Sequence, residues 1–157
     1  IDRIWDDGEA QVNILKHEGF FIDHRELRVD AAPERVFDVI KNIGGRNGWP
    51  YANWLWKLRG HFGVRKNAAD SKYDYYSVDA LKPDHLLLLH SQLKAPGEGW
   101  MEWRVEIREN STCLIQTAYF TPHGLGGFLY WLFLYPFHVF VYRGMIRAIA
   151  TSMVVIR

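Results

Sequence analysis

Cysteine is almost absent: Cys113 is the only one in 157 residues. That excludes an intrachain disulfide and a structural zinc site built on several thiolates, so the fold must stand on its core. A lone thiol fits a reducing compartment, and a cytoplasmic location is expected, with association to a membrane surface kept open. Charge imbalance is missing too: 19 Lys and Arg face 18 Asp and Glu, for a net charge of +1. The basic pairs Lys57/Arg59 and Arg65/Lys66 are too small for a nucleic-acid footprint, and no nucleic-acid partner is expected. No two of the seven histidines stand at i and i+4, and no cluster has ligand spacing, so no metal site is expected. There is no serine or cysteine nucleophile motif, and Cys113 reads as an inert, mid-strand hydrophobe. No Gly-x-Gly-x-x-Gly occurs, so no dinucleotide site is expected within these residues. The chain starts at Ile1 without a Met or a basic leader, as expected of a trimmed chain or an excised domain.

Aromatic residues, in contrast, are plentiful: seven Trp, eight Tyr and nine Phe. The length suits one domain with a sizeable core, and the aromatics serve either that core or an aromatic-lined pocket. Residues 1–19 read as an N-terminal arm anchored by Trp5, Ile14 and Leu15, and residues 20–157 as a single domain. Phe20 to Asp30 is rich in strand formers. Pro33 and Glu34 open a helix in which Val36, Phe37, Ile40 and Ile43 recur at helical spacing, and Gly44-Gly45 closes it. Residues 44–60 read as an ordered loop, with Trp54 and Trp56 on an extended segment, and 62–72 as an exposed loop. Four strands follow over Tyr73–Leu81, His85–Lys94, Trp100–Glu109 and Thr112–Thr121. The turns at Pro83-Asp84, 95–99 and Asn110-Ser111 are so short that these strands must be antiparallel neighbours.

The remaining stretch, Gly124 to Tyr142, is an apolar run whose one group titrating near neutrality is His138. As a helix it would reach roughly 28 Å, close to a bilayer core of about 30 Å. Gly126-Gly127, Pro136 and the mid-run histidine count against a span, as do upstream strands that need an apolar cover. A core helix is therefore expected over a span, with peripheral association between them. Pro136 predicts either a kink or two pieces, one near Leu125–Leu134 and one from Pro136 to about Thr151.

Several motifs carry a resemblance. They are Gly44-Gly45 with the segment Gly48-Trp49-Pro50-Tyr51-Ala52-Asn53-Trp54-Leu55-Trp56-Lys57-Leu58-Arg59-Gly60, then Lys94-Ala95-Pro96-Gly97-Glu98-Gly99-Trp100, Gln116-Thr117-Ala118, and Gly124-Leu125 followed by Leu129-Tyr130-Trp131, Pro136-Phe137-His138 and Gly144-Met145. Together they resemble a START-like (SRPBCC, helix-grip) family of unknown function, found as the C-terminal domain of bacterial NAD(P)-binding epimerase/dehydratase-like or NmrA-like proteins. The resemblance spans about residues 18 to 150. It departs between Gly60 and Tyr73, where this chain is shorter and lacks a second Gly-Gly and a basic stretch. It implies an α+β helix-grip fold: a curved antiparallel sheet wrapped around a long, kinked C-terminal helix, a short helix after the first strand, and a hydrophobic cavity. It also implies an upstream NAD(P)-binding domain as partner, with NAD(P) bound there and no cofactor in this chain.

The expected function is binding of a small hydrophobic molecule, as the substrate-binding or regulatory module of an NAD(P)-dependent oxidoreductase-like protein that is not catalytic by itself. The alternatives are a cyclase- or dehydratase-like enzyme using His138 or Glu102, and a membrane-surface or partner module. Candidate ligand contacts are Trp49, Trp54, Trp56, Arg59, His90, Arg104, Gln116, Tyr130, His138 and Tyr142. Trp49, Trp54, Trp56 and Arg59 make either a lid, with Arg59 holding an anionic group, or a packed loop. Glu102, Arg104, Gln116 and His90 supply polar groups if their strand faces point inward, and sit on a solvated face otherwise. His138, with Tyr142 one turn on and Arg59 or Glu102 opposite, is either an acid–base group or a structural histidine.

Overall fold

The computed structural model describes residues 21–62 and 72–153. The expected arm over 1–19 lies outside the described residues, as does most of the expected loop over 62–72. Five strands, β1 (Phe21–Val29), β2 (Tyr76–Lys82), β3 (Leu86–Ser91), β4 (Gly97–Arg108) and β5 (Ser111–Pro122), form one antiparallel sheet in the order β1-β5-β4-β3-β2. The first described strand thus closes against the last, in register from Phe21 opposite Phe120 to Val29 opposite Thr112. Glu109 and Asn110 join β4 to β5 with φ near +50° and +61°. That geometry suits a two-residue hairpin, whose twist matches that of the strands.

Among the described residues, three α-helices pack with the sheet: α1 (Pro33–Ile40), α2 (Asn53–Phe62) and α3 (Gly124–Ser152). Helix α1 begins as expected, with Pro33 in its first turn and extended Ala32 before it, and buries Val36, Phe37 and Ile40. One core joins those residues to Leu87, Leu89, Met101, Trp103, Val105 and Leu114 of the sheet and to Tyr142, Met145 and Ile149 of α3. This is the helix-grip arrangement: a curved antiparallel sheet closed over a long C-terminal helix.

One expectation is decided and one is corrected. Of the two forms that Pro136 allowed, α3 takes the single one, a 29-residue helix that runs through Pro136 rather than two pieces. Proline at 136 removes the hydrogen bond to the Leu132 carbonyl, but both residues are exposed, so solvent can satisfy the freed oxygen. The sheet face turned away from α3 is also less solvated than the alternation in β4 suggests. Leu86, Leu88, Ala80 and Tyr119 form a second cluster there, and Glu102 beside them is only 1% exposed. Ile107, on the apolar side of the same alternation, is 70% exposed near the hairpin end.

Sheet and helix are joined by one polar bridge. The buried Trp103 indole donates to Gln116 Oε1 at 3.1 Å, and Gln116 Nε2 donates to the Tyr142 carbonyl at 3.0 Å. Close approach elsewhere needs Gly144, where an added Cβ would fall 2.2 Å from the Tyr51 ring. A ring held between elements cannot swing aside like a flexible chain end. Gly144→Val is therefore expected to destabilise the fold by about 1–3 kcal/mol in urea denaturation. An unchanged midpoint would show that Tyr51 is free to move.

Candidate functional site

The glycine-rich segment before α2 is organised by one carboxylate. Asp74 Oδ2 accepts hydrogen bonds from the Gly45 amide at 3.1 Å and from Trp49 Nε1 at 2.8 Å. Gly44 and Gly45 both have positive φ, a conformation that favours glycine. The Trp49 ring then stacks on Trp56 at 4.2 Å, with the planes 15° apart. Trp56 in turn packs near Tyr75, Tyr76 and Tyr142. The segment expected to be extended is thus helix α2. In a helix, residues two apart point about 200° apart. Trp56 is accordingly buried, while Trp54 is 69% exposed and leaves the site. The spacing Trp54, Leu58, Phe62 against Leu55, Trp56, Arg59 carried this signal in the sequence.

Two spaces meet behind this stack. An outer cleft of about 270 Å³ is walled by Leu55, Trp56, Phe133, Leu134, Phe137 and Val141 of α2 and α3. An inner cavity of about 40 Å³ lies between α3 and the sheet, beside Tyr76, Ala118, Phe120, Tyr130 and Trp131. Arg59, His138 and Tyr142 line both. The inner volume holds a few waters or one small polar group. No carboxylate lines either space among the described residues.

The three shared residues differ in charge. The His138 ring meets Trp131 and Tyr142 edge-on at 4.9 Å each, and its Nδ1 is sealed from solvent without a hydrogen-bond partner. Burial, helped by the Arg59 charge, pushes its pKa down to about 4, so the ring is neutral at pH 7. Burial raises Tyr142 well above its usual range and takes Tyr76 up to about 12 against the pull of Arg59, so both hydroxyls keep their protons. Arg59 remains a cation, because no accessible pH discharges a guanidinium. Its Nε is sealed without a hydrogen-bond partner.

Of the residues singled out in the sequence, Trp56, Arg59, Tyr130, His138 and Tyr142 come together around these spaces. Trp49 lies behind Trp56 as its support. Gln116 points inward, but its amide is committed at both ends to Trp103 and Tyr142. Glu102, Arg104 and His90 lie on the far face of the sheet, because inward Trp103 and Leu89 turn their neighbours outward. There Glu102 sits 3.6 Å from Arg104, while His90 stacks on Trp100 at 4.7 Å with its Nε2 3.0 Å from Glu98. The pairing of His138 with Glu102 across one cavity is therefore not made. Cleft residues Leu55, Phe133, Leu134, Phe137 and Val141 escaped the sequence reading, since an apolar wall has the same composition as a core. Among the described residues, no three His, Cys, Asp or Glu side chains gather as a metal site.

Residues 17–145 match the family described as "Protein of unknown function (DUF2867)". The chain belongs to that family. No curated protein matches it. Solved structures are also similar to it, among them three at low identity. DynU16, from the dynemicin biosynthetic locus, shares 13% identity at a TM-score of 0.47, covering 84% of this chain and 46% of its own. The present chain thus spans about half the length of DynU16. Mll3558 from Rhizobium loti shares 14% identity at a TM-score of 0.46, over 84% and 96% of the two chains. The Polyketide_cyc-like protein Cgl2372 from Corynebacterium glutamicum shares 13% at 0.40, over 87% and 85%.

In this DUF2867 chain, His138 ties stability to pH. Its folded pKa of about 4 lies below the 6.5 of a free histidine, so between those values the unfolded chain binds a proton that the folded one refuses. Stability should fall as pH drops through that window and level off below it. The His138 share is on the order of 2 kcal/mol, allowing for its partial exposure. His138→Gln should flatten the pH dependence of the melting temperature there, and parallel curves for the two proteins would refute the assignment.

Proposed function

We propose that this domain binds a small hydrophobic molecule between α2, α3 and the sheet. The observation that carries the reading is an apolar cleft leading to a polar junction at Arg59, His138 and Tyr142. Ligand sites have this composition: apolar walls with a few placed polar groups. Binding without chemistry is favoured by the state of those groups. A histidine with a pKa of about 4 is a weak general base at pH 7, the buried tyrosines are poor acids, and no described carboxylate lines the site. The domain would serve as the substrate-binding or regulatory module of an NAD(P)-dependent oxidoreductase-like protein. The described residues do not fit the dinucleotide itself: the sheet is wholly antiparallel, with no strand–helix–strand unit to offer a helix N-terminus to a pyrophosphate. A cofactor would therefore belong to a separate upstream domain. An uncharged apolar fluorophore such as N-phenyl-1-naphthylamine should bind saturably, and Leu134→Trp, which fills the outer cleft, should weaken it at least tenfold. Non-saturable binding, or binding unaffected by Leu134→Trp in a folded variant, would defeat the reading.

A second reading, association with a membrane surface, is favoured by the exposed half of α3. Leu125, Leu129, Leu132, Phe133, Phe137 and Phe140 are all exposed, Phe133 by 73%. Helix α3 is long and apolar enough to cross a bilayer, and only 17% of its most apolar stretch is buried. Against a span stands its second half, where Met145 and Ile149 are fully buried under the sheet. No acidic residue occurs between Asp38 and Asp70 or after Glu109, so α2 and α3 carry only positive charge, at Lys57, Arg59, Arg143 and Arg147. Exposed aromatics with cations alone suit an anionic lipid surface. Sedimentation with phosphatidylglycerol-rich vesicles should exceed that with pure phosphatidylcholine and be abolished in Phe133→Ser/Phe137→Ser. Equal sedimentation of wild type and variant would exclude this face.

A further inference from the structure

Arg59 is a cation that no described carboxylate meets. It lies where the inner cavity and outer cleft meet, its Nε is sealed without a hydrogen-bond partner, and no described carboxylate forms an ion pair with it. A buried charge ordinarily has a partner, since desolvating it alone is costly. The described residues do not provide one. His138 cannot neutralise it, since an imidazole is neutral or cationic and never anionic. Asp23, a carboxylate on the inner side of β1, is held by Arg25 at 2.8 and 2.9 Å. Tyr76, Tyr130 and Tyr142 bring hydroxyls to the same space, and two of them, Tyr76 and Tyr142, are kept protonated by burial. A second unsatisfied polar atom, His138 Nδ1, borders it as well. Two sealed, unsatisfied polar atoms, Arg59 Nε and His138 Nδ1, border a space of about 40 Å³ at the inner end of an apolar cleft.

We propose that the missing counter-charge is the head group of the ligand: the site takes an amphipathic monocarboxylic acid, with its carboxylate at Arg59 and its apolar body in the outer cleft. This rests on the cavity reading above and narrows it from any apolar molecule to an acid. The inner volume fits a group of carboxylate size, and the planar guanidinium fork matches a carboxylate's two oxygens. Among the described residues, the outer cleft walled by Leu55, Trp56, Phe133, Leu134, Phe137 and Val141 offers no free polar partner besides the three shared residues, the Trp56 indole being committed to the Tyr51 carbonyl. An apolar tail loses nothing there.

A matched pair of probes separates head group from tail. Decanoate and decanol have the same chain, and their affinities at neutral pH can be followed by calorimetry. Wild type should prefer decanoate by roughly tenfold or more, the range expected of a charge-assisted hydrogen bond. Arg59→Met keeps the length and removes the charge: it should bind both probes about as tightly as wild type binds decanol. Without ligand, its melting temperature should be raised by a few degrees, because a partly desolvated charge that no described carboxylate meets is gone. Arg59→Lys should keep part of the preference. If neither probe binds wild type, the cavity reading fails and this proposal with it. If both bind equally, or if Arg59→Met keeps the preference, the proposal alone is overturned. A lowered melting temperature in ligand-free Arg59→Met would also overturn it, by showing that Arg59 is a structural tie within the fold.

Discussion

The buried indole N–H of Trp103 has to be satisfied, and the way it is satisfied positions the rest of the molecule. Gln116 takes that hydrogen on one side and gives one to the backbone of α3 at Tyr142 on the other. Either group left unpaired in this interior would cost on the order of 1–3 kcal/mol. The helix is therefore held at one depth and one rotation over the sheet. Tyr142 faces inward at that point, and His138, one turn earlier, inherits the same side. Arg59 reaches them from α2, which is itself moored through the Trp56–Trp49 stack to Asp74. A polar bridge in the core thus determines where the only described cation of the cavity stands.

Helix α3 lives in two environments along its length. Its second half, from Val141 onward, buries one stripe under the sheet and shows Arg143 and Arg147 to solvent. Its first half buries little besides Gly127 and Trp131. The transition falls around Pro136 and His138, beside the mouth of the outer cleft. Phe133 and Phe137 belong both to the exposed face and to the cleft wall, so whatever contacts that face also borders the entrance.

Much of the fold was legible because β-strands with a half-buried face advertise themselves. Met101, Trp103 and Val105 alternate with charged residues, and short turns left no topology other than antiparallel neighbours. Pairing of the first strand with the last was not legible, since no local pattern encodes a contact between Phe21 and Phe120. Helix α2 was misread because two tryptophans at spacing two suggest a strand when the weaker i, i+4 pattern around them is overlooked. At the site, Arg59, His138 and Tyr142 stood out as polar groups within apolar runs. Sheet parity could not be read for Glu102, Arg104 and His90 until Gln116 and Trp103 were known to point inward. The outer cleft was invisible for a different reason: a wall of Leu, Phe and Val becomes a pocket only through the spacing of two helices.

If a ligand's charge is what meets Arg59, the fold is at its least stable when empty. Any species that supplies the missing charge adds RT ln(1 + [L]/Kd) to the folded state, so occupancy and folding are linked. Chains without ligand would open more often, and degradation in a cell acts on the open form. Abundance of the domain would then follow the supply of what it binds. The defect at Arg59 would act as a gauge as well as a grip.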